Sequence, residues 1–444
     1  MTATLDPLFA PRSVAVYGAS ASDPAKLGNT LLANVAGGIA DLRCIHPTAS
    51  AIDGVPAQPS LTKAVDLALV SVPARGAEQA VRDAVGAGAR VVVVLSSGFG
   101  EAGPDGLAAQ ERIAALVREH GARLVGPNCM GVVSHLGDDR WLNGSYFWAV
   151  PKTPGHVSFV SQSGAFGGMF LSEVRRRGLG FTRFVSLGNS PDVDVTQALG
   201  WLADDPETQV IGVFSEGLRD GRDFVDVARS ITPHKPIVVL KGGRSTAGAR
   251  AASGHTGSLA GTARAYEAGF TRAGVVPVAT SDEFFDVLSA FAVPRLRRHG
   301  RRVAVITVSG GPGVLAADAA EAAGLELVPL SDQRQSAIRA FAPDFAATAN
   351  PVDLTPQCPP GNFHGAISEV YTDESLDGVV VINCGLDIPE FGEAVAAAHT
   401  ATGKPTTAFL LDTPRVQAAV SHAGIPCFGS PEAAVRGFAA GVKP

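Results

Sequence analysis

His156–Phe170 reads HVSFVSQSGAFGGMF, and this stretch decides the fold. VSFV is a short run of β-branched and aromatic residues, SQSG is a turn of hydroxyls and glycine, and Phe166 to Arg177 continues as a helix. Working outward, the same grammar of short Val/Ile strand, Gly-rich turn and Ala-rich helix recurs. Upstream, SVAVYGAS gives a strand and turn, and Lys26 to Val35 gives a helix. DLALVSVPA, RVVVVLSSGFG and RLVGPNCMG add strands ending in Gly, Ser, Pro or Asn. Downstream come TRFVSLGNSPD, VIGVFSEGLRDGRDF and PIVVLKGG, and then RRVAVITVSGGPGVLAADAAEAAG, DGVVVINCG and PTTAFLL. Strands alternating with helices at this pitch predict an α/β protein built on doubly wound parallel sheets. In such sheets ligands gather at the carboxyl ends of the strands, where the Gly/Ser/Asn-rich turns fall.

The 444 residues give room for two to four domains, and 46% hydrophobic with 18% charged residues describes a folded chain with sizeable cores. A net charge of -6, with no basic stripe interleaved by aromatics, excludes a nucleic-acid partner. The N-terminus lacks a basic region followed by a long apolar core, so no signal peptide is expected. The apolar runs are too short to cross a bilayer and suit buried strands, so no membrane association is expected. Cys44, Cys129, Cys358, Cys384 and Cys427 are scattered, which indicates neither a disulfide framework nor a metal site and points to a reducing cytoplasm. Two stretches read as linkers: Trp148 to His156, with two prolines and a glycine, and the basic Arg295 to Arg302.

Several strand-end turns are candidates for chemistry. Gly18-Ala19-Ser20 follows the first strand, and Lys26-Leu27-Gly28 opens the next helix. A turn and helix start of this kind holds a phosphate through backbone N–H groups and the helix dipole. The spacing is not G-x-G-x-x-G, and simple chain reversal is the plain alternative, but Lys26 favours a phosphate-bearing ligand other than NAD. In Gly126-Pro-Asn128-Cys129-Met-Gly131, turn chemistry alone accounts for Asn and Gly, and a nucleophilic Cys129 has no base nearby in sequence. Ser161-Gln162-Ser163-Gly164-Ala165 presents hydroxyls and free N–H groups at a helix start, which suits a phosphoryl group or a simple N-cap by Ser163. Glu216, just past VIGVF, is placed to orient an imidazole by accepting its N–H, while Asp220 and Arg222 can pair with each other. Gly310-Gly-Pro-Gly313 and Asn350-Pro-Val-Asp353 are turn-like and fit either a ligand site or local stability.

In the order GAS…KLG, SSGF, GPNCMG, VSQSGA, SLGN…D, SEGLRDGR, GHTGSLAG, GGPGV and NPVDL, these motifs resemble the α subunit of the ADP-forming (NDP-forming) acyl-CoA synthetases, relatives of succinyl-CoA synthetase. The resemblance implies a Rossmann-like CoA-binding domain over residues 1–147. It implies a flavodoxin-like ligase domain carrying a phosphohistidine loop over 148–296, and a second flavodoxin-like domain over 297–444. Gly18, Ser20, Lys26 and Gly28 would hold CoA phosphates, with Ser97, Gly98 and Phe99 helping to hold the cofactor. His255, in Gly254-His255-Thr256-Gly257, would be the phosphorylated histidine, on a loop whose small residues leave room for a phosphoryl group. Glu216 would orient it, Ser161, Gln162, Ser163, Gly164 and Ala165 would receive its phosphoryl group, and Asn128 and Cys129 would lie near the reacting carboxylate.

No ATP-grasp domain and no G-x-x-x-x-G-K-[ST] loop is legible. The resemblance therefore implies a separate ATP-grasp β subunit binding ATP/ADP and Mg2+, an α2β2-type hetero-oligomer, and CoA and a small carboxylic acid as substrates. HLGDDRWLNGSYFWAVP departs from the family in charge and aromatics, so Trp141, Tyr146 and Trp148 read either as an acyl pocket or as packing surface. Two other functions remain open at this level: an ATP-independent CoA- or phosphate-linked acyl or carbamoyl transferase, and a non-catalytic CoA-binding protein.

Overall fold

The structure is a computed structural model that describes residues 4–248, 250 and 263–443. Among these residues the strands form three sheets of seven, seven and five strands. The chain divides into two contact-dense units, Met1–Ala279 and Thr280–Pro444.

The first unit begins with β1 (Ser13–Tyr17), β2 (Asp41–Ile45), β3 (Ala51–Ile52), β4 (Val55–Gln58), β5 (Leu67–Val70), β6 (Val91–Val94) and β7 (Arg123–Val125). They lie in the order β3-β4-β2-β1-β5-β6-β7, and β2-β1-β5-β6-β7 run parallel. Side chains of β1 alternate between faces: Val14 and Val16 enter one apolar cluster, Ala15 and Tyr17 the other. Strand β1 therefore carries no polar face, as a strand covered by helices on both sides requires.

The second sheet is built from β8 (Gly131–His135), β9 (Trp141–Ser145), β10 (Pro154–Ser161), β11 (Phe181–Ser186), β12 (Val210–Ser215), β13 (Ile237–Lys241) and β14 (Val276–Val278), in the order β14-β13-β12-β10-β11-β8-β9. Its five parallel strands follow the doubly wound order in which the chain reverses direction beside the first strand, here between β10 and β12. Strands β8 and β9 add an antiparallel hairpin on the β11 edge, Arg183 facing Ser134 and Val185 facing Val132.

This hairpin moves the first sheet boundary from the composition-based position near residue 147 to the loop between Val125 and Gly131. The Pro/Gly-rich run after Trp148 marks the exit of the hairpin, because prolines mark where strand pairing stops. One apolar cluster then runs from Val14, Val16 and Leu69 to Val160, Val185 and Val213, joining the first two sheets into a single unit.

The second unit opens at helix Ser281–Ala292, whose start is fixed by a capping box between Thr280 and Glu283. Asp286 on that helix pairs with Arg436 at 3.0 Å, so the helix belongs to this unit and the basic run 295–302 lies inside it. Its sheet, β16-β15-β17-β18-β19, comprises β15 (Val303–Thr307), β16 (Val352–Asp353), β17 (Gly378–Cys384), β18 (Thr406–Leu411) and β19 (Cys427–Phe428), all parallel. Ala304 and Ile306 pack into one cluster and Val303 and Val305 into the other, the same two-faced burial as in β1.

Candidate functional site

The sequence reading points to the carboxyl ends of the strands, and the first unit holds a cleft of about 780 Å³ there. At one end the cleft reaches the reversal point of the first sheet, where β1 is followed by Gly18 and β5 by Ser71. At the other end it reaches the reversal point of the second sheet, where β10 is followed by Gln162 and β12 by Glu216. Loops leaving strands on either side of a reversal diverge and leave a crevice, so two such points facing one cleft give a two-ended site.

Close backbone packing shapes the first end. Helix Leu27–Ala36 starts at Lys26 with no side-chain cap. A Cβ on Gly28 would lie 2.1 Å from the Gly18 carbonyl oxygen, so only glycine brings the helix start against the turn. Gly18 itself has φ +104°, in the region that favours glycine. Lys26 and the uncapped N–H groups beside it offer a positive end to a phosphate. Ser97 also lines the cleft.

Three of the expected cofactor contacts lie elsewhere. Ser20 is buried and its hydroxyl accepts from the N–H groups of Ser22 and Asp23, closing its own turn. The Gly98 N–H donates to Glu101 Oε1 at 2.6 Å, and Phe99 is fully buried in the core.

The middle of the cleft is the Gly126–Gly131 loop. Asn128 adopts φ +60° and donates through Nδ2 to Asn189 Oδ1 at 3.2 Å. Asn189 in turn donates to Glu101 Oε2 at 2.6 Å and Gln110 Oε1 at 2.8 Å. Burial raises the Glu101 pKa, but hydrogen bonds from Asn189 and from the N–H groups of Gly98 and Phe99 outweigh it and hold the group below the usual range. Cys129 is buried, its Sγ donating to the Val94 carbonyl at 3.4 Å, and burial pushes the thiol up to about 12. It is a protonated packing residue at neutral pH rather than a nucleophile.

Of the aromatics in the divergent stretch, Tyr146 lines the cleft, its Oη 2.7 Å from Ser71 Oγ, and burial pushes its phenol up to about 12. Trp141 is core, its ring tilted against Phe181 with centroids 5.0 Å apart, and Trp148 is 79% exposed. Of the two sequence readings of these aromatics, pocket or packing surface, the cleft position of Tyr146 fits the first, whereas Asn189 and Ser71 are cleft residues that the sequence motifs do not mark individually. Asn189 and Ser71 follow strand-end runs, which is the signal that marks them.

The second end is the start of helix Gly164–Arg177. Ser163 is its N-cap, accepting from the Phe166 N–H at 3.3 Å, so that hydroxyl is engaged. Gly164 and Ala165 line the cleft with first-turn N–H groups that have no hydrogen-bond partner among the described residues. Ser161 is fully buried, its Oγ donating to the Ser163 carbonyl at 2.7 Å. It shapes the turn from behind. Gln162 Oε1 accepts from the Glu216 N–H at 2.7 Å, and Oε2 of Glu216 is shielded from water with no partner among the described residues. His255, Gly254, Thr256 and Gly257 lie outside the described residues.

Among the described residues no helix is long and apolar enough to cross a membrane, and no group of His, Cys, Asp and Glu stands in metal-binding geometry. The five cysteines are free thiols.

Against known families, residues 12–135 match the CoA binding domain, residues 154–291 the succinyl-CoA ligase-like flavodoxin domain and residues 303–388 the ligase-CoA domain. The α subunit of an ADP-forming acetate–CoA ligase II of Pyrococcus furiosus is 34% identical, over 96% of this chain and 95% of its own length. The chain belongs to the ADP-forming acyl-CoA synthetase α-subunit family. Members of this family are acid–thiol ligases. Similarity to an ADP-forming acetate–CoA ligase I of Archaeoglobus fulgidus is 35% identity over 97% of this chain but 62% of that protein. Among solved structures, the dinucleotide-forming acetyl-coenzyme A synthetase 1 of Ca. Korarchaeum cryptofilum in complex with phosphate and ADP superposes with a TM-score of 0.89 at 32% identity, covering 98% of this chain and 96% of that one.

Proposed function

We propose that this chain is the α subunit of a ligase that converts a small carboxylic acid, CoA and ATP to acyl-CoA, ADP and phosphate, reversibly, with the nucleotide site on an ATP-grasp β subunit and magnesium bound there. One observation carries the reading. A single cleft joins a phosphate-cradling end at Gly18, Lys26 and Gly28 to a second end at Gln162, Gly164, Ala165 and Glu216. A thioester-forming ligase needs this layout, because an acid activated at one end must meet a thiol delivered from the other. The relatives and the structural neighbour, all named as CoA ligases or synthetases, support it.

The route we infer passes a phosphoryl group from ATP to a nitrogen of His255 and on to the acid. An acyl phosphate then undergoes attack by the CoA sulfur with release of phosphate. The Gly164 and Ala165 N–H groups stabilise the charge on the transferring phosphoryl group, and preorganised donors of this kind carry much of such catalysis. Glu216, on the other imidazole nitrogen, fixes the tautomer that leaves a nucleophilic lone pair. Asn128, placed mid-cleft by Asn189, faces the region between the two ends where the acid would lie.

The test is to incubate the chain with its ATP-grasp partner, γ-labelled ATP and magnesium. Acid-labile, alkali-stable label should appear on the chain and vanish in His255→Ala. Label that persists in that variant, or turnover without ATP and partner, overturns the reading in favour of a transferase.

A further inference from the structure

Glu216 stands on a turn whose backbone is held almost entirely by side chains from elsewhere. Gln162 Oε1 accepts from three donors: the Glu216 N–H at 2.7 Å, the Gly217 N–H at 3.1 Å and Ser215 Oγ at 3.0 Å. Two of these are backbone N–H groups, which only donate, so the amide orientation is fixed by chemistry. Lys241 at the end of β13 is 6% exposed and donates through Nζ to the Glu216 carbonyl at 2.7 Å and to the Gly242 carbonyl. Tyr266 Oη, on helix Ala263–Ala273, accepts from the Leu218 N–H at 3.2 Å, and its ring lies 4.7 Å from Lys241 Nζ. Three elements thus converge on four residues.

None of the three side chains donates a hydrogen bond to the carboxylate itself. The buried ammonium of Lys241 donates to the Glu216 and Gly242 carbonyls rather than to the Glu216 carboxylate, whose charge is near enough to oppose the effect of burial on Lys241 without a hydrogen bond between them. Glu216 Oε2 stays shielded and has no hydrogen-bond partner among the described residues. A buried acceptor left unmet is costly, more so when charged, so a turn that holds it this way suits a donor that arrives during function.

We propose that Gln162, Lys241 and Tyr266 are positioning residues that lock the 215–218 turn and so fix the Glu216 carboxylate at the wall of the cleft, ready to accept a hydrogen bond. This rests on the reading of Glu216 as the partner of the phosphorylated imidazole, and it shifts the main role of Gln162 from phosphoryl contact to support. Neither Lys241 nor Tyr266 carries a signal in the sequence motifs. The lysine reads as the end of a strand and the tyrosine as one aromatic in a polar helix.

The experiment uses the full chain with its ATP-grasp partner, rapid quenching of labelled phosphohistidine, and a pH profile. An oriented carboxylate raises the pKa of its imidazole, so losing the orientation moves the acid limb of the phosphorylation rate to lower pH. Gln162→Met should slow labelling roughly 10- to 100-fold, the loss usual when the outer partner of an oriented histidine is removed. It should also shift the acid limb. Tyr266→Phe, which keeps the ring over Lys241, should act in the same direction by roughly threefold to tenfold, the value of one neutral hydrogen bond. In a Glu216→Gln background neither should slow labelling further, although any effect on melting temperature persists. If Glu216→Gln is slow but Gln162→Met and Tyr266→Phe label at the wild-type rate, or add their full loss in the Glu216→Gln background, the clamp is wrong. If Glu216→Gln itself labels normally, the reading of Glu216 fails first and takes the clamp with it.

Discussion

A methyl group added at Gly28 would sit 2.1 Å from a backbone oxygen and 2.7 Å from the Ala19 nitrogen, and neither can swing aside as a side chain would. Gly28→Ala should therefore cost about 1–3 kcal/mol through forced displacement of the helix start. It should also weaken CoA binding measured by calorimetry, since the helix start and the Gly18 turn form one cradle. Unchanged affinity would place CoA elsewhere. Cys129 offers a second residue-scale check. With its pKa pushed up to about 12, it should resist a thiol reagent at pH 8 until the protein is unfolded, whereas half-buried Cys384 and Cys427 should react sooner. At this scale the sequence placed Lys26, Asn128, Gly164 and Glu216 at the cleft, because residue type and strand-end position suffice for that. Ser161, Ser20 and Phe99 have the right type and motif but face inward. A one-residue change of direction in a turn is not encoded in its composition.

Helix Gly164–Arg177 shows how an element is set by its ends. Ser163 caps its start and Gly178, with φ +63°, ends it in the left-handed conformation. Ser163→Ala should cost about 1 kcal/mol by thermal or urea unfolding, typical for a lost N-cap. It should loosen the N–H groups proposed to receive phosphate. On the same helix, hydrogen bonds from Arg176, against the opposing effect of burial, and then from Arg177 lower Glu173 from 4.5 to about 2. Its folded pKa is depressed, so its contribution is fully present above pH 4.5 and lost as pH falls towards 2. Glu173→Gln should lower the melting temperature at pH 6 and leave it close to wild type at pH 2. A parallel loss at both pH values would mean that the residue acts through packing alone. The strand–turn–helix unit was legible because its period and caps are local. The antiparallel hairpin at 131–145 was not, because its pairing with β11 spans some fifty residues of chain.

At the scale of the whole molecule, units Met1–Ala279 and Thr280–Pro444 each have their own sheet-centred cores. Calorimetry of the full chain should resolve two transitions. Saturating CoA, at about 100 times its Kd, should stabilise the first by about 2.7 kcal/mol, because the cleft lies wholly within that unit. The second should be the more acid-sensitive. Burial lowers the pKa of His299 and, together with the Arg295 cation, that of His399. Neutral buried histidines stabilise the fold above their unfolded pKa near 6.5, and that contribution is lost as pH falls below it. The second transition should move down between pH 7 and 5.5 while a His399→Gln variant moves less. One transition throughout, or equal shifts in both, would count against this division.

The sequence by itself determined the α/β class, the repeated strand–turn–helix units and which turns carry chemistry, because hydrophobic period, β-branching and turn residues act over a few neighbours. Tertiary structure alone decided which turns meet. Two reversal points, in sheets whose strands are far apart in sequence, open onto one cleft through a shared core. Gln162 and Lys241 come together on the Glu216 turn because β10, β12 and β13 are neighbours in the second sheet, and Tyr266 joins them from the helix leading into β14, which pairs with β13. Strand order is fixed by packing between distant segments, and no local pattern records it.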